Sequence, residues 1–364
     1  MKKSYRYKKG GRIMLISISV LASCMLIIYI VMVLISPGKA IPLVDKDGNP
    51  ITKSLSEKIM ININGSKQGM FIKSIDTTNP VLLYLHGGMP DYFLTRKYPT
   101  GLENLFTVVW WEQRGSGLSY DAKNSGSLIT PKQMIDDTKE ITNYLRKRFN
   151  KEKIYIMGHS GGTFIGLQAV VEAPELYYAY LGVAQITNQL QSEKLAHDYM
   201  LEKFKEQGNK KWVKRLEQAP VSLTSGPSKN YITLRDAAMH KLGVGTMHRM
   251  NSVITGIFLP SLACKEYTLK EKINLWYGKS HSGVSVIWDT ILSTDLSSKL
   301  IDIPIPVYFF HGVYDYTVSY DLARKYFNHI NAPVKNFYTF EQSAHSPLFE
   351  EPAKMLEIIE RDIL

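Results

Sequence analysis

Gly158-His159-Ser160-Gly161-Gly162 sets a serine among glycines, directly after the apolar run KIYIM at 153–157 and before the helical pattern TFIGLQAVVEA. A strand-to-helix turn of the G-x-S-x-G type holds its serine on a sharp, strained bend with Oγ open to solvent. Small flanking residues let the neighbouring backbones approach closely enough for that bend to form. A serine hydroxyl is a weak nucleophile without a base, so this reading requires a carboxylate and then a histidine further along the chain. Asp315, in HGVYDYTV after the run PVYFF, and His345, in EQSAHSP after NFYTF, stand where those groups are needed. Each follows a predicted strand, and strand ends on one edge of a sheet would carry both toward Ser160. The chemistry implied is acyl transfer through a serine ester, with Ser160 as nucleophile, His345 as base and Asp315 orienting the base.

The oxyanion of such a reaction needs donors. His86-Gly87-Gly88-Met89-Pro90 follows the run VLLYL at 81–85, and glycines at that turn can aim backbone amides into the site. With the amide of Gly161 they would form an oxyanion hole, the second donor coming from Gly88 or Met89. His159, His311 and His329 lie beside apolar sequence and read as satisfied core histidines without a catalytic role. No metal or cofactor is implied.

The elements that must hold these residues are legible as short apolar runs alternating with helical patterns. Strands are predicted at 81–85, 107–111, 153–157, 179–185, 306–310 and 336–340, with a helix over 131–149 and a last helix from about Glu351. Before them, KIMININ and GMFIKSI flank 65–68 and predict an opening β-hairpin. The alternation argues a mostly parallel sheet wrapped by helices. It breaks between about Asn188 and Lys299, where helix-like segments with Trp212, Trp276 and Trp288 show no clear strand. Connections of that length are not left unstructured inside a compact domain. We read 57–187 and 300–364 as an α/β core and 188–299 as a helical lid over the carboxyl ends of its strands.

Residues 13–35 carry no charge, and Lys2, Lys3, Arg6, Lys8, Lys9 and Arg12 precede them without any acid. A helix of that length spans about 34 Å against a bilayer core of about 30 Å. Residues 1–12 are therefore expected as a basic cytoplasmic tail, 13–35 as a transmembrane signal-anchor and 36–56 as a linker. The charge bias predicts a single-pass protein with its catalytic domain outside the cytoplasm. Leu21-Ala22-Ser23-Cys24 is similar to a bacterial lipobox, but eleven further apolar residues follow Cys24, where a lipoprotein would begin a polar linker. Cleavage near Gly38-Lys39-Ala40 is disfavoured because the apolar run exceeds a signal-peptide core. The tail supplies six of the net +11 charges of the 364-residue chain. The remaining +5 is spread thinly, no Arg-rich stripe with interleaved aromatics occurs, and nucleic acid is not an expected partner. With 45% hydrophobic and 21% charged residues the chain is of globular composition. Cys24 and Cys264 offer no internal disulfide framework.

Taken in order, HGGMP at 86–90, WEQRGSGLS at 111–119, GHSGG at 158–162, the Asp315 loop and the SAHSP loop resemble the α/β-hydrolase superfamily, and within it the proline iminopeptidase-like branch. The resemblance runs from about residue 57 to the end. It implies Ser160, Asp315 and His345 as the triad and the Gly87-Gly88 turn as part of the oxyanion site. Gln113-Arg114-Gly115 matches that branch's DQRG turn with Glu112 in place of Asp, and Arg114 is expected to hold loops together. Gly161 stands where proline iminopeptidases usually carry Trp, and HGGMP replaces HGGPG. Those enzymes hold the substrate amine with lid carboxylates; Glu193, Glu202, Glu217 and Glu266 lie in this lid outside any matching motif and are expected on solvated helix faces. The function expected is a membrane-anchored serine hydrolase acting on a small molecule or short peptide, of the proline iminopeptidase type. A carboxylesterase or thioesterase of the same fold is the alternative, and a non-catalytic binding protein on this scaffold is the rival from another class.

Overall fold

In the computed structural model, which describes residues 2–122, 129–281 and 283–364, every one of the expected strand segments enters a single eight-stranded sheet. Its strands are β1 (Leu55–Ile63), β2 (Ser66–Ser74), β3 (Val81–Leu85), β4 (Thr107–Glu112), β5 (Ile154–His159), β6 (Tyr177–Val183), β9 (Val307–Gly312) and β10 (Lys335–Phe340). Two further short strands, β7 (Val221–Ser222) and β8 (Gly226–Pro227), pair only with each other. The main order is β1-β2-β4-β3-β5-β6-β9-β10, antiparallel at the β1-β2-β4 end and parallel throughout the rest. The opening hairpin turns on two residues, Asn64 and Gly65, both at positive φ, and Ile63 pairs with Ser66. That is tighter than the four-residue turn expected at 65–68; an Asn-Gly pair is the sequence of a type I′ turn, whose twist matches the strands it joins.

Helices α2 (Pro131–Arg148), α3 (Gly161–Glu172), α11 (Tyr320–His329), α12 (Pro347–Glu350) and α13 (Pro352–Asp362) clothe the sheet. Helix α2 starts where Thr130 caps the Gln133 amide ahead of Pro131, and ends on Arg146, Lys147 and Arg148, charges that suit its carboxyl terminus. The parallel strands are buried on both faces. Leu83 and Leu85 point into one apolar layer with Phe164 and Ile165 of α3, whereas Leu82 and Tyr84 point into the other with Phe310 and Leu348.

Between β6 and β9 the chain runs through α4 (Gln189–Glu206), α5 (Lys210–Glu217), the β7-β8 hairpin, α6 (Lys229–Leu242), a π-helical turn at Ile254–Phe258 leading into α7 (Leu259–Ala263), α8 (Leu269–His281), α9 (Trp288–Ser293) and α10 (Leu296–Lys299). The small hairpin corrects the strand-free expectation for this stretch; two-residue strands around Gly226 are too short to show an alternating pattern. Ala196, Met200, Phe204, Leu216 and Tyr231 give the insertion an apolar core of its own.

Ahead of all this, α1 (Lys2–Leu34) is one helix whose stretch Met14–Leu34 is long and apolar enough to cross a membrane and has none of its residues buried by the rest of the protein. Met1 of the basic tail lies outside the described residues.

Candidate active site

Ser160, Asp315 and His345 all leave the sheet at the carboxyl ends of parallel strands, β5, β9 and β10, so one edge of the sheet presents all three. Ser160 sits at φ 54 and ψ −124, a conformation that costs a non-glycine residue about 1 to 3 kcal/mol and persists only when its surroundings enforce it. The surroundings are tight. The Ser160 amide donates to Val183 O at 3.0 Å, and the amide and hydroxyl of Thr163 return to Ser160 O at 2.8 and 2.6 Å. A methyl group at Gly162 would come within 2.1 Å of Leu85 O, and one at Gly158 within 2.8 Å of Gly162 O, so both glycines are required for α3 to start against β3. Gly87 approaches equally closely, a Cβ there lying 2.7 Å from Ser160 Cβ.

Asp315 is buried and every lone-pair direction is used. Oδ1 accepts the Thr317 and Val318 amides, each at 2.9 Å. Oδ2 faces His345 Nδ1 at 2.9 Å and His311 Nε2 at 3.1 Å. Burial alone would raise the Asp315 pKa, but the charge of His345 and hydrogen bonds from His311 and His345 outweigh it and hold the carboxyl well below its usual range. His345 is also buried; desolvation lowers its pKa, and the facing Asp315 offsets only part of that. Its ring therefore favours the neutral form, with Nδ1–H donated to Asp315 and the Nε2 lone pair left free. Among the described residues Ser160 Oγ has no hydrogen-bond partner.

A cavity of about 350 Å³ opens over Ser160, walled by Gly88 and Gly161 from the sheet side and by Arg235, Met239, Val284 and Trp288 from the insertion. Gly161, first residue of α3, has an amide with no intrahelical partner, as every helix start must. Gly88 is exposed to the same cavity; the Met89 side chain turns away into the apolar layer containing Tyr84 and Trp110. At Gly161 a Cβ would lie 2.4 Å from Val284 Cγ1, so the space that a larger residue there would need is already filled by the insertion.

Several side chains given no catalytic part from sequence brace the site. His159 is hydrogen-bonded, as a core histidine should be, but its partners are Asp91 Oδ2 at 2.9 Å and the carbonyl of His345 at 3.0 Å, so it fixes the backbone of the candidate base. Burial would lower its pKa; the bond and charge of Asp91 reverse that and raise it. His311 bears directly on Asp315, while His329 is exposed and bonds only within its own helix, contrary to the core reading. Glu350 accepts the amides of Ala344 and His248 at 2.9 and 2.6 Å and, at 3.4 Å, that of Ser346, and Glu351 accepts Gln342 N and Ser343 Oγ, so this pair pins both flanks of the His345 loop. The signal for it was local: two acids five and six residues past the histidine can fold back onto the loop amides.

The acids of the insertion divide. Glu202 and Glu217 are exposed as expected, but Glu193 and Glu266 are buried. Glu193 takes Arg235 Nε at 2.6 Å, and Gln189 Nε2 reaches both Glu193 at 2.8 Å and Thr317 O at 2.9 Å, which ties the insertion to the Asp315 loop. Glu266 pairs with Lys73 at 2.6 Å. Helix periodicity could not separate the two kinds, because each burial depends on a cation far away in sequence. His86 and Arg114 are structural: Gln113 bonds both His86 Nε2 and His86 O, and Arg114 grips Asp137 with two bonds of 2.7 and 2.9 Å.

A doubly clothed, mostly parallel sheet with a strained serine turn after β5 and an insertion over its carboxyl edge defines an α/β hydrolase. Residues 80–352 match the alpha/beta hydrolase fold family, and the chain belongs to it. Among curated relatives it is 31% identical, over 323 residues covering 86% of this chain and 98% of the relative, to "Probable aminopeptidase YbaC" of Bacillus subtilis (strain 168). Solved structures of the same fold include VinJ, at 15% identity and a TM-score of 0.58, and a proline iminopeptidase of Mycobacterium smegmatis, at 13% and 0.57. Each covers 83% of this chain and 96% of its own.

Proposed function

We propose that the protein is a serine hydrolase of the aminopeptidase type, held to the membrane by α1, with Ser160, His345 and Asp315 as its triad and residues 188–299 as its lid. The observation that carries the reading is that the strained Ser160 opens on the cavity while its neighbour His159 holds the His345 carbonyl at 3.0 Å, and His345 Nδ1 lies 2.9 Å from a buried Asp315 carboxylate. In this mechanism His345 Nε2 takes the Ser160 proton as Oγ attacks the substrate carbonyl. The oxyanion is received by the amides of Gly161 and of Gly88 or Met89. The imidazolium then protonates the leaving amine, and a water activated by the same nitrogen releases the acyl group and restores Ser160. Supporting the amide-cleaving side is the 31% identical relative named as an aminopeptidase. Supporting the anchor are the uncharged, mainly apolar 21-residue stretch Met14–Leu34 and the basic tail before it. The catalytic domain then faces out of the cytoplasm.

The test is a comparison of kcat/KM on aminoacyl amides, beginning with proline, and on short acyl esters, together with labelling by a serine-reactive phosphonate. Higher kcat/KM on the amides, lost together with labelling in Ser160→Ala, is the expected result. Preference for esters would overturn the peptidase assignment, and failure to label would overturn the serine mechanism.

A further inference from the structure

The carboxyl end of α1 is not a loose tether. Lys272 of α8, almost fully buried, donates from Nζ to Ile35 O at 3.3 Å, Ser36 Oγ at 2.8 Å and Leu262 O at 2.5 Å. A cation placed there meets the unpaired carbonyls and negative dipole end of α1. Next along the chain, Pro37 bridges to Thr268, the Gly38 amide donates to Lys265 O at 3.0 Å, and the Ile41 amide donates to Glu266 at 2.7 Å. Residues 35–41 are thus stitched onto the α7–α8 corner of the insertion, and wherever α1 leaves a bilayer, that corner sits at its surface.

That corner carries the apolar helical stretch Ile254–Ala263. One side packs inward through Gly256, Pro260 and Ser261. The opposite side leaves Ile254 64%, Phe258 39% and Leu259 48% exposed, with one flank of Phe258 against the Trp276 ring at 5.3 Å between centroids. Cations edge the patch. Lys97 Nζ bonds Thr255 O at 2.6 Å, and Arg96 and Lys265 line an adjoining cavity of about 390 Å³ with Ile41 and Leu43 of the linker. Lys73, Arg96 and Lys265 in that cavity face two carboxylates, Glu103 and Glu266, and the surplus is positive. An apolar helix face bordered by basic side chains is the arrangement that settles at a lipid headgroup boundary, about 5 to 10 Å into it.

We propose that the stretch Ile254–Ala263 is a membrane-seated part of the lid, its Ile254, Phe258 and Leu259 side chains immersed in the interface of the leaflet from which α1 emerges. The occupant of this face is the bilayer itself. The inference rests on reading α1 as a membrane anchor, and it adds that the lid has a second attachment to the same bilayer. The catalytic cavity shares this insertion through Arg235, Val284 and Trp288, so the lid would be held at two places by lipid and at a third by the Asp315 loop.

The experiment uses the full chain in vesicles of phosphatidylcholine and phosphatidylglycerol, in a Cys24→Ser background where the remaining Cys264 is buried. An environment-sensitive fluorophore is placed at Ile254→Cys, at Phe258→Cys and, as control, at Val334→Cys, exposed ahead of β10 at the opposite edge of the sheet. Lipids spin-labelled near the headgroup should quench the probes at 254 and 258 several-fold more than the probe at 334, and more than lipids labelled near the chain terminus do. Vesicle flotation run in parallel separates the two readings. Protein that floats with vesicles but is quenched equally weakly at all three positions overturns the seated lid and leaves the anchor standing. Protein that does not float overturns the anchor and the seated lid together.

Discussion

Replacing Asp315 by Asn changes one atom in a site where each acceptor direction is already used, and its consequences can be worked through bond by bond. The amide oxygen can stay on the Thr317 and Val318 amides, as Oδ1 does at 2.9 Å to each. The NH2 group then takes the place of Oδ2 and confronts His345 Nδ1–H at 2.9 Å, donor against donor, while His311 Nε2, 3.1 Å from the same position, keeps the Val318 carbonyl at 3.1 Å as its acceptor. Rotating the amide only transfers the conflict to the two backbone donors. The least costly escape is for His345 to switch tautomer, so that Nδ1 accepts and Nε2 carries the proton, which removes the lone pair that the proposed mechanism uses to take the Ser160 proton. A wrong tautomer in a serine triad costs about 10⁴-fold in turnover, or about 5 kcal/mol of transition-state stabilisation. Loss of the carboxylate that His345 and His311 face should lower stability by about 1 to 3 kcal/mol. The measurement is kcat/KM on the best aminoacyl amide at a pH above the acid limb, with thermal unfolding of the same samples. A folded Asp315→Asn protein within about tenfold of the parent would refute the assignment of Asp315 as the group that sets the His345 tautomer.

Ser160→Ala should abolish turnover and phosphonate labelling with the unfolding temperature unchanged or raised, since Oγ has no hydrogen-bond partner among the described residues and the strained φ remains the main cost at that position; residual turnover by pure protein would exclude Ser160 as nucleophile. Because burial lowers the His345 pKa and Asp315 restores only part of it, kcat/KM should rise with pH through a midpoint below 6.5, and a midpoint at or above 6.5 would contradict desolvation as the controlling influence. Gly161→Trp should lower kcat/KM and expose the cavity to probes, as even a Cβ meets Val284 at 2.4 Å; the double variant Gly161→Trp/Val284→Ala should recover part of the loss, and no recovery would mean Val284 is not the obstacle. Glu112 is buried and its pKa is pushed up to about 8, chiefly by desolvation. Its folded value exceeds the usual 4.5, so its contribution to stability is complete below 4.5 and is lost as pH rises through about 8. Glu112→Gln should therefore unfold less readily relative to the parent as pH rises across that window, and a pH-independent difference would exclude the linkage.

What could be read from the chain follows the range of the interactions involved. The strand runs, the serine turn and the order Ser160, Asp315, His345 are local signals, since each depends on residues within a few positions and on the period of two that a buried sheet imposes. The hairpin was legible too, though its turn lies at Asn64-Gly65 and not over 65–68, because the Asn-Gly pair outweighs the Gly-Ser-Lys-Gln composition after it. Interactions that close over long separations were not legible. Glu193 looks like any solvated helix acid until Arg235, 42 residues on, folds over it, and His159 looks like core until Asp91 and the His345 carbonyl arrive from other strand ends. The lone strand pair β7-β8 escaped for another reason: two residues per strand carry no periodicity.

The buried contacts of the insertion suggest why so much of it is fixed by charge. Arg235 with Glu193, Lys73 with Glu266 and Lys272 on the end of α1 are all desolvated cations, and replacing such groups with apolar residues is often neutral or stabilising. Their value here is directional. An apolar patch can slide against another apolar patch, whereas Lys272 must meet the Ile35 carbonyl and Ser36 hydroxyl, and Gln189 must meet both Glu193 and Thr317 O, at fixed places. One set of contacts registers the insertion on the Asp315 loop, and the other registers it on the carboxyl end of α1. A movement of the insertion large enough to widen the cavity over Ser160 must therefore break hydrogen bonds at the Thr317 side or at the Lys272 side. Since the Thr317 contacts come from Gln189 of α4 and, at 3.3 Å, Arg235 of α6 while the Lys272 contacts come from α8, the segment between them, containing Ile254–Ala263, is where the two registrations have to be reconciled.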